Sequence, residues 1–274
     1  MAGGAGKTPV AIAIGKILVE DLKIDFAYLS LGYKGEIKDF VLVDKNKYES
    51  KDVGDEPLLL SEIAQTFVSK DRVFGAKEIA KISAKKLIIM DDGLQNPSLE
   101  KHFSILVIDG NYGFGNGFII PAGPLREPIK AGIAKADLII IVGEDRQKIA
   151  KNFCGNKKVI NAKITTINPE QFYKKSFIAF CGIGRPEKFF TSLQESNINV
   201  VTKFSYADHY RYKEEDITKM IDLAKKNNLK LITTKKDWVR LDKCYQNKSH
   251  YLDIKIEFEN TEYLKEKLIK LSNA

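Results

Sequence analysis

Cysteine is scarce in this 274-residue chain, and its three cysteines lie far apart at Cys154, Cys181 and Cys244. No C-x-x-C pair occurs, so we expect neither a disulfide framework nor a zinc ribbon, and a reducing compartment is the expected location. Long apolar runs are also missing. The longest, 138–142, is far shorter than the roughly 18 to 20 residues that cross a bilayer, and the N-terminus lacks the apolar region of a signal peptide. These absences predict a soluble intracellular protein.

The positive charge is unevenly distributed. Residues 1–150 contain 20 Lys and Arg against 21 Asp and Glu, whereas residues 151–274 contain 24 against 15, a net charge of +9. Such an excess suits an anionic partner, such as a membrane surface or a phosphorylated lipid. Because lysine far outnumbers arginine, biased codon usage would explain the excess equally well. Aromatic and basic residues do not interleave as in RNA-binding signatures, so no nucleic-acid partner is expected.

Apolar runs alternate with amphipathic segments along the chain. The runs 26–31, 87–90, 105–108 and 138–142 predict buried strands, and 58–68 and 76–82 predict helices between them. A second series follows, with strands at 176–180, 200–204 and 229–233 and helices near 186–194, 214–226 and 261–271. We therefore predict an α/β fold with a parallel sheet covered by helices, and two units: residues 1–150 and a smaller unit at 176–274, joined by a connector at 151–175.

A phosphate-binding loop is predicted at the start of the chain. Glycines in the segment G-G-A-G-K-T allow backbone N–H groups to surround a phosphate, and the following helix, predicted at 9–18, adds its dipole. Lys7 would reach the β- and γ-phosphates of a nucleotide, and the hydroxyl of Thr8 would bind Mg²⁺. The predicted nucleotide-binding residues are Gly3, Gly4, Ala5, Gly6, Lys7 and Thr8.

A second acidic site should hold the metal. The apolar run 87–90 ends in Asp91 and Asp92, the arrangement of a Walker B strand, although Asp-Asp-Gly could also be an ordinary turn. Carboxylates at the end of a strand can bind Mg²⁺ directly or through water. Together with Lys7 and Thr8, these two residues predict a site for ATP and Mg²⁺.

Further segments identify a family. In chain order these segments are G-K-T-P (6–9), G-D-E-P (54–57), D-D-G-L-Q (91–95), G-N-G (115–117), P-A-G-P-L-R-E-P (121–128), G-I-G (182–184), D-H-Y (208–210) and T-T-K-K-D (233–237). With these segments in this order, the chain resembles the tetraacyldisaccharide 4′-kinase family of lipid A biosynthesis. The resemblance implies a P-loop kinase core that transfers the γ-phosphate of ATP to the 4′-hydroxyl of a tetraacyldisaccharide 1-phosphate, giving lipid IVA. It also implies a peripheral location on the cytoplasmic face of the bacterial inner membrane, with no obligate protein partner.

The resemblance also assigns residues. It implies that Asp55 and His209 act together as the proton-accepting pair, which is chemically reasonable because a carboxylate stabilises an imidazolium ion. It places Glu127 with Thr8, Asp91 and Asp92 among the candidate metal ligands. Arg126 could contact a phosphate or pair with Glu127, and the sequence favours neither.

The chain departs from the family pattern at several places. Leu31 stands where members carry an arginine, and Arg185 stands where they carry an asparagine. Members also have a longer N-terminal segment, with a membrane-associating helix and the strand that enters the P-loop, so we expect the true start to lie upstream of Met1. An inactive nucleotide-binding homologue is one alternative. A GTP-dependent switch is another, because T-K-K-D resembles the guanine-reading motif.

Overall fold

The computed structural model describes residues 4–82 and 87–273, and within these residues strands and helices alternate along most of the chain. The strands are β1 Phe26–Ser30, β2 Val41–Leu42, β3 Thr66–Val68, β4 Leu87–Met90, β5 Ile105–Asp109, β6 Leu138–Val142, β7 Lys158–Thr166, β8 Ser176–Cys181, β9 Asn199–Ser205, β10 Lys230–Thr234, β11 Ser249–Leu252 and β12 Ile254–Phe258. They form three sheets with the orders β2-β3-β1-β4, β12-β7-β6-β5 and β11-β10-β8-β9.

The helices differ widely in length. The α-helices are α1 Lys7–Lys16, α2 Ser50–Val53, α3 Asp55–Leu60, α4 Arg72–Ile82, α5 Ile129–Ala134, α6 Ile149–Phe153, α7 Pro186–Glu195, α8 Glu214–Lys226, α9 Lys235–Trp238, α10 Lys243–Gln246 and α11 Glu262–Ser272. A π-helical segment, Ile17–Leu22, continues α1, and a 3₁₀ turn covers Pro169–Phe172. No helix within the described residues has the length and apolar character needed to span a bilayer.

The first sheet carries the predicted acidic strand. Strand β1 is buried along its whole length and pairs in parallel with β3 and β4, whereas β2 is antiparallel at the edge. The prediction of a helix over 58–68 is wrong, because α3 ends at Leu60 and Thr66–Val68 is the strand β3. The run is apolar enough to be buried in either conformation, so its periodicity could not separate a helix from a helix followed by a strand.

The second sheet combines distant parts of the chain. Strands β5, β6 and β7 are parallel, and β12 from the C-terminal region pairs antiparallel with β7. Helix α11 buries Leu264 and Leu268 in the same core cluster as Val10 and Ile14 of α1. The predicted connector 151–175 therefore contains a strand of the second sheet. The sequence of this strand shows one short apolar stretch, 159–164, which its polar surroundings led us to assign to a connector. The proposed division into units stays a prediction.

The third sheet is parallel throughout and is covered on both faces. Alternate residues of β8 point to opposite sides, as the strand period of two requires. Phe177 and Ala179 pack with Leu193 of α7, whereas Ile178 and Phe180 pack with Met220 of α8. This arrangement confirms the predicted α/β class, in which helices lie on both faces of a parallel sheet.

Candidate active site

The predicted phosphate loop precedes a helix of ten residues. Gly4 and Gly6 have φ values of 82° and 88°, in the left-handed region that favours glycine, and Lys7 is the first residue of α1. The amide of Val10 donates to the carbonyl of Gly6, which fixes the loop to the first turn. The loop therefore presents a helix N-terminus to the cleft, as phosphate binding requires. Gly3, also predicted to bind nucleotide, lies outside the described residues.

Thr8 and Asp91 meet at the end of β4. The hydroxyl of Thr8 donates to Oδ2 of Asp91 over 2.9 Å, and Asp91 is buried. Burial raises the pKa of Asp91 to about 6; the neighbouring charges of Glu56 and Asp92 act in the same direction, against the hydrogen bond from Thr8 and the charge of Lys7. The raised pKa of Asp91 thus reflects first its burial and then the two neighbouring acids.

Asp92 joins two basic residues of the site. Its carboxylate lies 2.8 Å from Nζ of Lys7 and 2.9 Å from Nη1 of Arg126. Burial would raise the pKa of Asp92, but these two cations hold it below its usual value. The sequence leaves open whether Arg126 contacts a phosphate or pairs with Glu127. In the structure Arg126 pairs with Asp92 instead of Glu127. Glu127 instead binds Lys135 and accepts a hydrogen bond from Gln95 at 3.0 Å.

The oxygen ligands near Thr8 fit a hard divalent cation. Mg²⁺ binds hydroxyl and carboxylate oxygens, and Thr8 and Asp91 provide both. Glu56 supports this assignment, because its Oε2 is buried and has no hydrogen-bond partner among the described residues. Asp92 and Glu127 are held in ion pairs, so either would have to exchange a basic partner for the metal.

Asp55 and His209 form the second part of the site. They are 154 residues apart in sequence, yet Nδ1 of His209 lies 3.0 Å from Oδ2 of Asp55. Asp55 begins α3, and His209 follows β9 in a turn where its φ is 56°. Nε2 of His209 lies 3.2 Å from Nζ of Lys236. Because an ammonium group can only donate, this contact favours the tautomer with the proton on Nδ1, directed at Asp55.

Arg240 is a residue of the site that the sequence interpretation missed. Its Nε donates to Oδ2 of Asp55 over 2.7 Å, and its Nη1 donates to Oδ1 of Asp237 and to the carbonyl of Gly182, each over 2.8 Å. Burial alone would raise the pKa of Asp55. The hydrogen bond from His209 and the charges of Arg240 and Lys236 lower it below its ordinary value. Asp55 is therefore ionised at neutral pH. The sequence offered one signal for Arg240, namely its position three residues after Asp237 of the T-K-K-D motif.

The T-K-K-D segment has a structural role here. Asp237 is fully buried, and its Oδ1 accepts hydrogen bonds from the amide of Gly182, from Tyr212 and from Arg240. A guanine-reading aspartate must have its carboxylate available to the base. The three hydrogen bonds occupy Oδ1 of Asp237, which argues against the alternative that the chain is a GTP-dependent switch.

A second cluster joins the phosphate loop to the third sheet. Arg185, at the start of α7, donates to the carbonyl of Gly4 over 2.9 Å and lies 2.8 Å from Oδ2 of Asp109. Asp109 ends β5, is fully buried and also pairs with Lys188. The ring of Tyr112 lies under the Arg185 guanidinium, 4.6 Å away. The departure at Arg185 thus places a cation beside the P-loop.

These groups surround one cleft of about 1880 Å³. Its lining includes the phosphate loop, Glu56, Asp92, Arg126, Arg185 and His209. The volume exceeds the roughly 300–1000 Å³ of a typical small-molecule site. The cleft can therefore accommodate a nucleotide and part of a second substrate together.

Comparison with known proteins places the chain in a family. Residues 1–273 match the family described as Tetraacyldisaccharide-1-P 4'-kinase. The chain belongs to this family. It is 41% identical to the tetraacyldisaccharide 4'-kinase of Rhodospirillum rubrum over 94% of this chain and 79% of that protein, and 39% identical to that of Paramagnetospirillum magneticum over 94% and 79%. The resemblance that the motifs indicated is confirmed.

A solved structure supports the fold. The crystal structure of LpxK from Aquifex aeolicus in complex with ATP matches with a TM-score of 0.77 at 24% sequence identity, covering 98% of this chain and 85% of that one. The predicted P-loop kinase architecture of this family member is therefore confirmed.

Proposed function

We propose that this kinase transfers the γ-phosphate of ATP to the 4′-hydroxyl of a tetraacyldisaccharide 1-phosphate and so forms lipid IVA. The observation that carries the proposal is that the P-loop, the acidic strand end and His209 line the same cleft, with Asp55 buried behind His209 and bonded to it. Phosphoryl transfer needs a cradle for the donor and a proton acceptor for the attacking hydroxyl within reach of each other. The named relatives support the choice of substrate.

The donor side positions the phosphates. The backbone of Gly4, Ala5 and Gly6 surrounds them, and Lys7 exchanges its partner Asp92 for phosphate oxygens. Thr8, Asp91, Asp92 and Glu127 would hold Mg²⁺, which supplies charge stabilisation to the transferring group. Arg126, released from Asp92, would be a further cation near the phosphates.

The acceptor side removes a proton. In the tautomer that Lys236 favours, His209 holds one proton on Nδ1 toward Asp55 and leaves the lone pair of Nε2 for the substrate hydroxyl. When the hydroxyl attacks, the proton goes to the pair, and the ionised Asp55 stabilises the imidazolium ion that forms. Lys236 is also 2.6 Å from Glu56, so it has a partner when the hydroxyl displaces it from His209.

The setting of the reaction follows from its two substrates. We propose that the enzyme acts at the anionic cytoplasmic face of the bacterial inner membrane, because a tetraacylated substrate stays in a bilayer while ATP is dissolved in the cytosol. The net charge of +9 in residues 151–274 supports attraction to that surface.

An assay with radiolabelled nucleotide tests the proposal. We expect label from the γ-position of ATP, in the presence of Mg²⁺, to appear on detergent-solubilised tetraacyldisaccharide 1-phosphate. His209→Gln and Asp55→Asn should lose this transfer while still binding ATP. Wild-type protein that binds GTP far more tightly than ATP, or that binds ATP and never labels the lipid, would contradict the proposal and favour the switch or the inactive homologue.

A further inference from the structure

An uncharged segment lies between β5 and Arg126. Residues 110–125 contain no Asp, Glu, Lys or Arg, the longest such stretch in a chain of which 29% is charged. At its centre Phe118, Ile119 and Ile120 are exposed by 62%, 42% and 54%. Three consecutive large apolar side chains are normally buried, and contiguous exposed apolar surface marks a contact site. We call residues 115–125 the apolar loop.

Most backbone amides of the apolar loop have a partner within the loop or in the residues just before it. Ile120 donates to the carbonyl of Leu125, Leu125 to that of Phe118, and Ala122 and Gly123 to that of Ile119. The Asn116 side chain donates to the carbonyl of Ala122 and accepts from the amide of Phe118. Pro121 and Pro124 have no amide hydrogen. The paired amides reduce the number of polar groups that lose water when the side chains enter a lipid interface, and the carbonyls of the loop can stay hydrated there.

The base of the apolar loop is fixed to the active site. Leu125 is buried, and the next residue, Arg126, pairs with Asp92 beside Lys7. At the other end the segment leaves β5 at Asp109, which binds Arg185 next to the phosphate loop. Both ends thus lie at the carboxyl edge of the parallel strands, where the nucleotide is proposed to bind. The exposed apolar residues lie beside the reaction they would serve.

Basic residues accompany the apolar surface. Phe118 and Ile119 line a shallow hollow with Ile129, Lys130 and Phe153. Between residues 110 and 136 the charged residues are Arg126, Glu127, Lys130 and Lys135; Arg126 pairs with Asp92 in the nucleotide cleft and Lys135 pairs with Glu127, so Lys130 is the lysine that adjoins the hollow. Apolar side chains beside lysines are typical of surfaces that bind anionic lipid, since the chains enter the interface while the ammonium groups meet the headgroups.

We propose that the apolar loop inserts into the interface of an anionic phospholipid bilayer and so docks the active site beside its lipid substrate. This inference deepens the proposed function and rests on it for the identity of the substrate. Insertion would add a local apolar contact to the long-range electrostatic attraction between the basic residues and the membrane. Salt screens the electrostatic attraction but does not weaken the apolar contact.

Vesicle binding tests the loop directly. Phe118→Asp and Ile120→Asp are compared with Val201→Asp, a matched control on β9 whose side chain is 58% exposed. On vesicles of phosphatidylcholine and phosphatidylglycerol at high salt, we expect the two loop variants to bind on the order of tenfold more weakly than wild type, since a charge replaces an inserted side chain, and Val201→Asp to bind as wild type does. Equal binding by all four proteins would overturn the inference.

A fluorescence measurement locates the contact. Phe118→Trp and Val201→Trp both retain the single native tryptophan, Trp238, so their difference reports the new side chain. With lipids brominated on their acyl chains, we expect strong quenching of Phe118→Trp and none beyond the Trp238 background for Val201→Trp. A loop that contacts only headgroups, or a protein partner, would leave Phe118→Trp unquenched and refute insertion.

The kinase assay separates this inference from the proposed function. If wild-type protein phosphorylates the lipid but Phe118→Asp binds vesicles normally, insertion is refuted while the function stands. If wild type never labels the lipid, the function fails, and the vesicle and quenching results still decide insertion. Phe118→Asp could instead lose as much activity in detergent micelles as on vesicles while its vesicle binding stays unchanged. That result would assign the loop to the acyl chains of the substrate and refute docking to the bilayer.

Discussion

The Nε atom of Arg240 lies 2.7 Å from Oδ2 of Asp55, and both side chains are buried. The same oxygen accepts from His209, so a single carboxylate atom holds the imidazole and the guanidinium together. Arg240 also binds Asp237, which accepts a hydrogen bond from the amide of Gly182, the residue directly after β8. Arg240 therefore holds Asp55 beside His209 and lowers the pKa of Asp55, and it is not among the residues that line the cleft, so we infer a positioning role for it in the proposed proton transfer.

Removing Arg240 should change the pH dependence of the reaction. In wild type the charge of Arg240 helps to hold the pKa of the buried Asp55 below its ordinary value. Arg240→Gln removes that charge, so the pKa of Asp55 should rise. An adjacent opposite charge typically changes a carboxyl pKa by about 1–3 pH units. The carboxylate must be ionised to work, so the acid limb of the profile of kcat/KM should move to higher pH, with partial recovery as the pH rises. Arg240→Lys should keep most of the wild-type profile.

The control for this experiment is Arg211→Gln, whose guanidinium pairs with Glu36 at the exposed surface. Its profile should match that of wild type. A purely structural role for Arg240 predicts a different result, namely lower activity at every pH with an unchanged limb.

Asp55 and His209 should behave as one unit. We expect Asp55→Ala and His209→Ala each to lower kcat by about 10²–10⁴-fold, the range of general-base catalysis, and the double variant to be little worse than either. His250, which is partly buried beside Phe177, supplies a control as His250→Gln with near-normal kcat. Losses that multiply in the double variant would show that the two groups act separately.

The sequence was informative where a motif carries its own chemistry. G-K-T and the acidic strand end predicted Lys7 and Asp91 from their chemistry, the family resemblance implied His209, and all three line one cleft. The sequence marks Arg185 as a departure from the family pattern but does not give its partners, and it does not assign Arg240 to the site, because the partner of a single arginine is set by tertiary packing. Strand β7 was not predicted, although its short apolar stretch at 159–164 is visible in the sequence, because Asn161 and Lys163 interrupt it and the flanking residues are polar.

Lys7 should be required for transfer and dispensable for folding. In Lys7→Ala the carboxylate of Asp92 keeps its pair with Arg126, so the loop should retain its structure while the phosphates lose a cation. We expect no measurable lipid phosphorylation and a thermal unfolding midpoint near that of wild type. Lys51→Ala, which removes only an exposed pair with Glu49, is the matched control. Normal turnover by Lys7→Ala would remove the P-loop from the mechanism.

Arg185 should contribute to stability as well as to nucleotide binding. Arg185→Asn, which introduces the residue typical of the family, leaves the buried Asp109 with Lys188 as its remaining cation. We expect a loss of about 1–3 kcal/mol in the free energy of unfolding measured with urea, and a higher KM for ATP because the guanidinium no longer braces Gly4. Arg146→Asn breaks an exposed pair with Glu144 and should change stability by less than about 0.5 kcal/mol.

The requirement for Mg²⁺ should depend on Thr8 and on pH. Thr8→Val removes the hydroxyl with little change of shape, so a candidate ligand disappears and Asp91 loses the hydrogen bond that opposes the rise of its pKa. Because a proton competes with the metal for the carboxylate, Mg²⁺ binding to wild type should weaken as the pH falls through about 6.

In Thr8→Val this loss of Mg²⁺ binding should begin at higher pH, and half-maximal activity should need more Mg²⁺ at every pH. Thr8→Ser, which keeps the hydroxyl, should match wild type. Magnesium titrations of the lipid kinase activity across the pH range measure both effects, and an unchanged Mg²⁺ requirement in Thr8→Val would exclude Thr8 as a ligand.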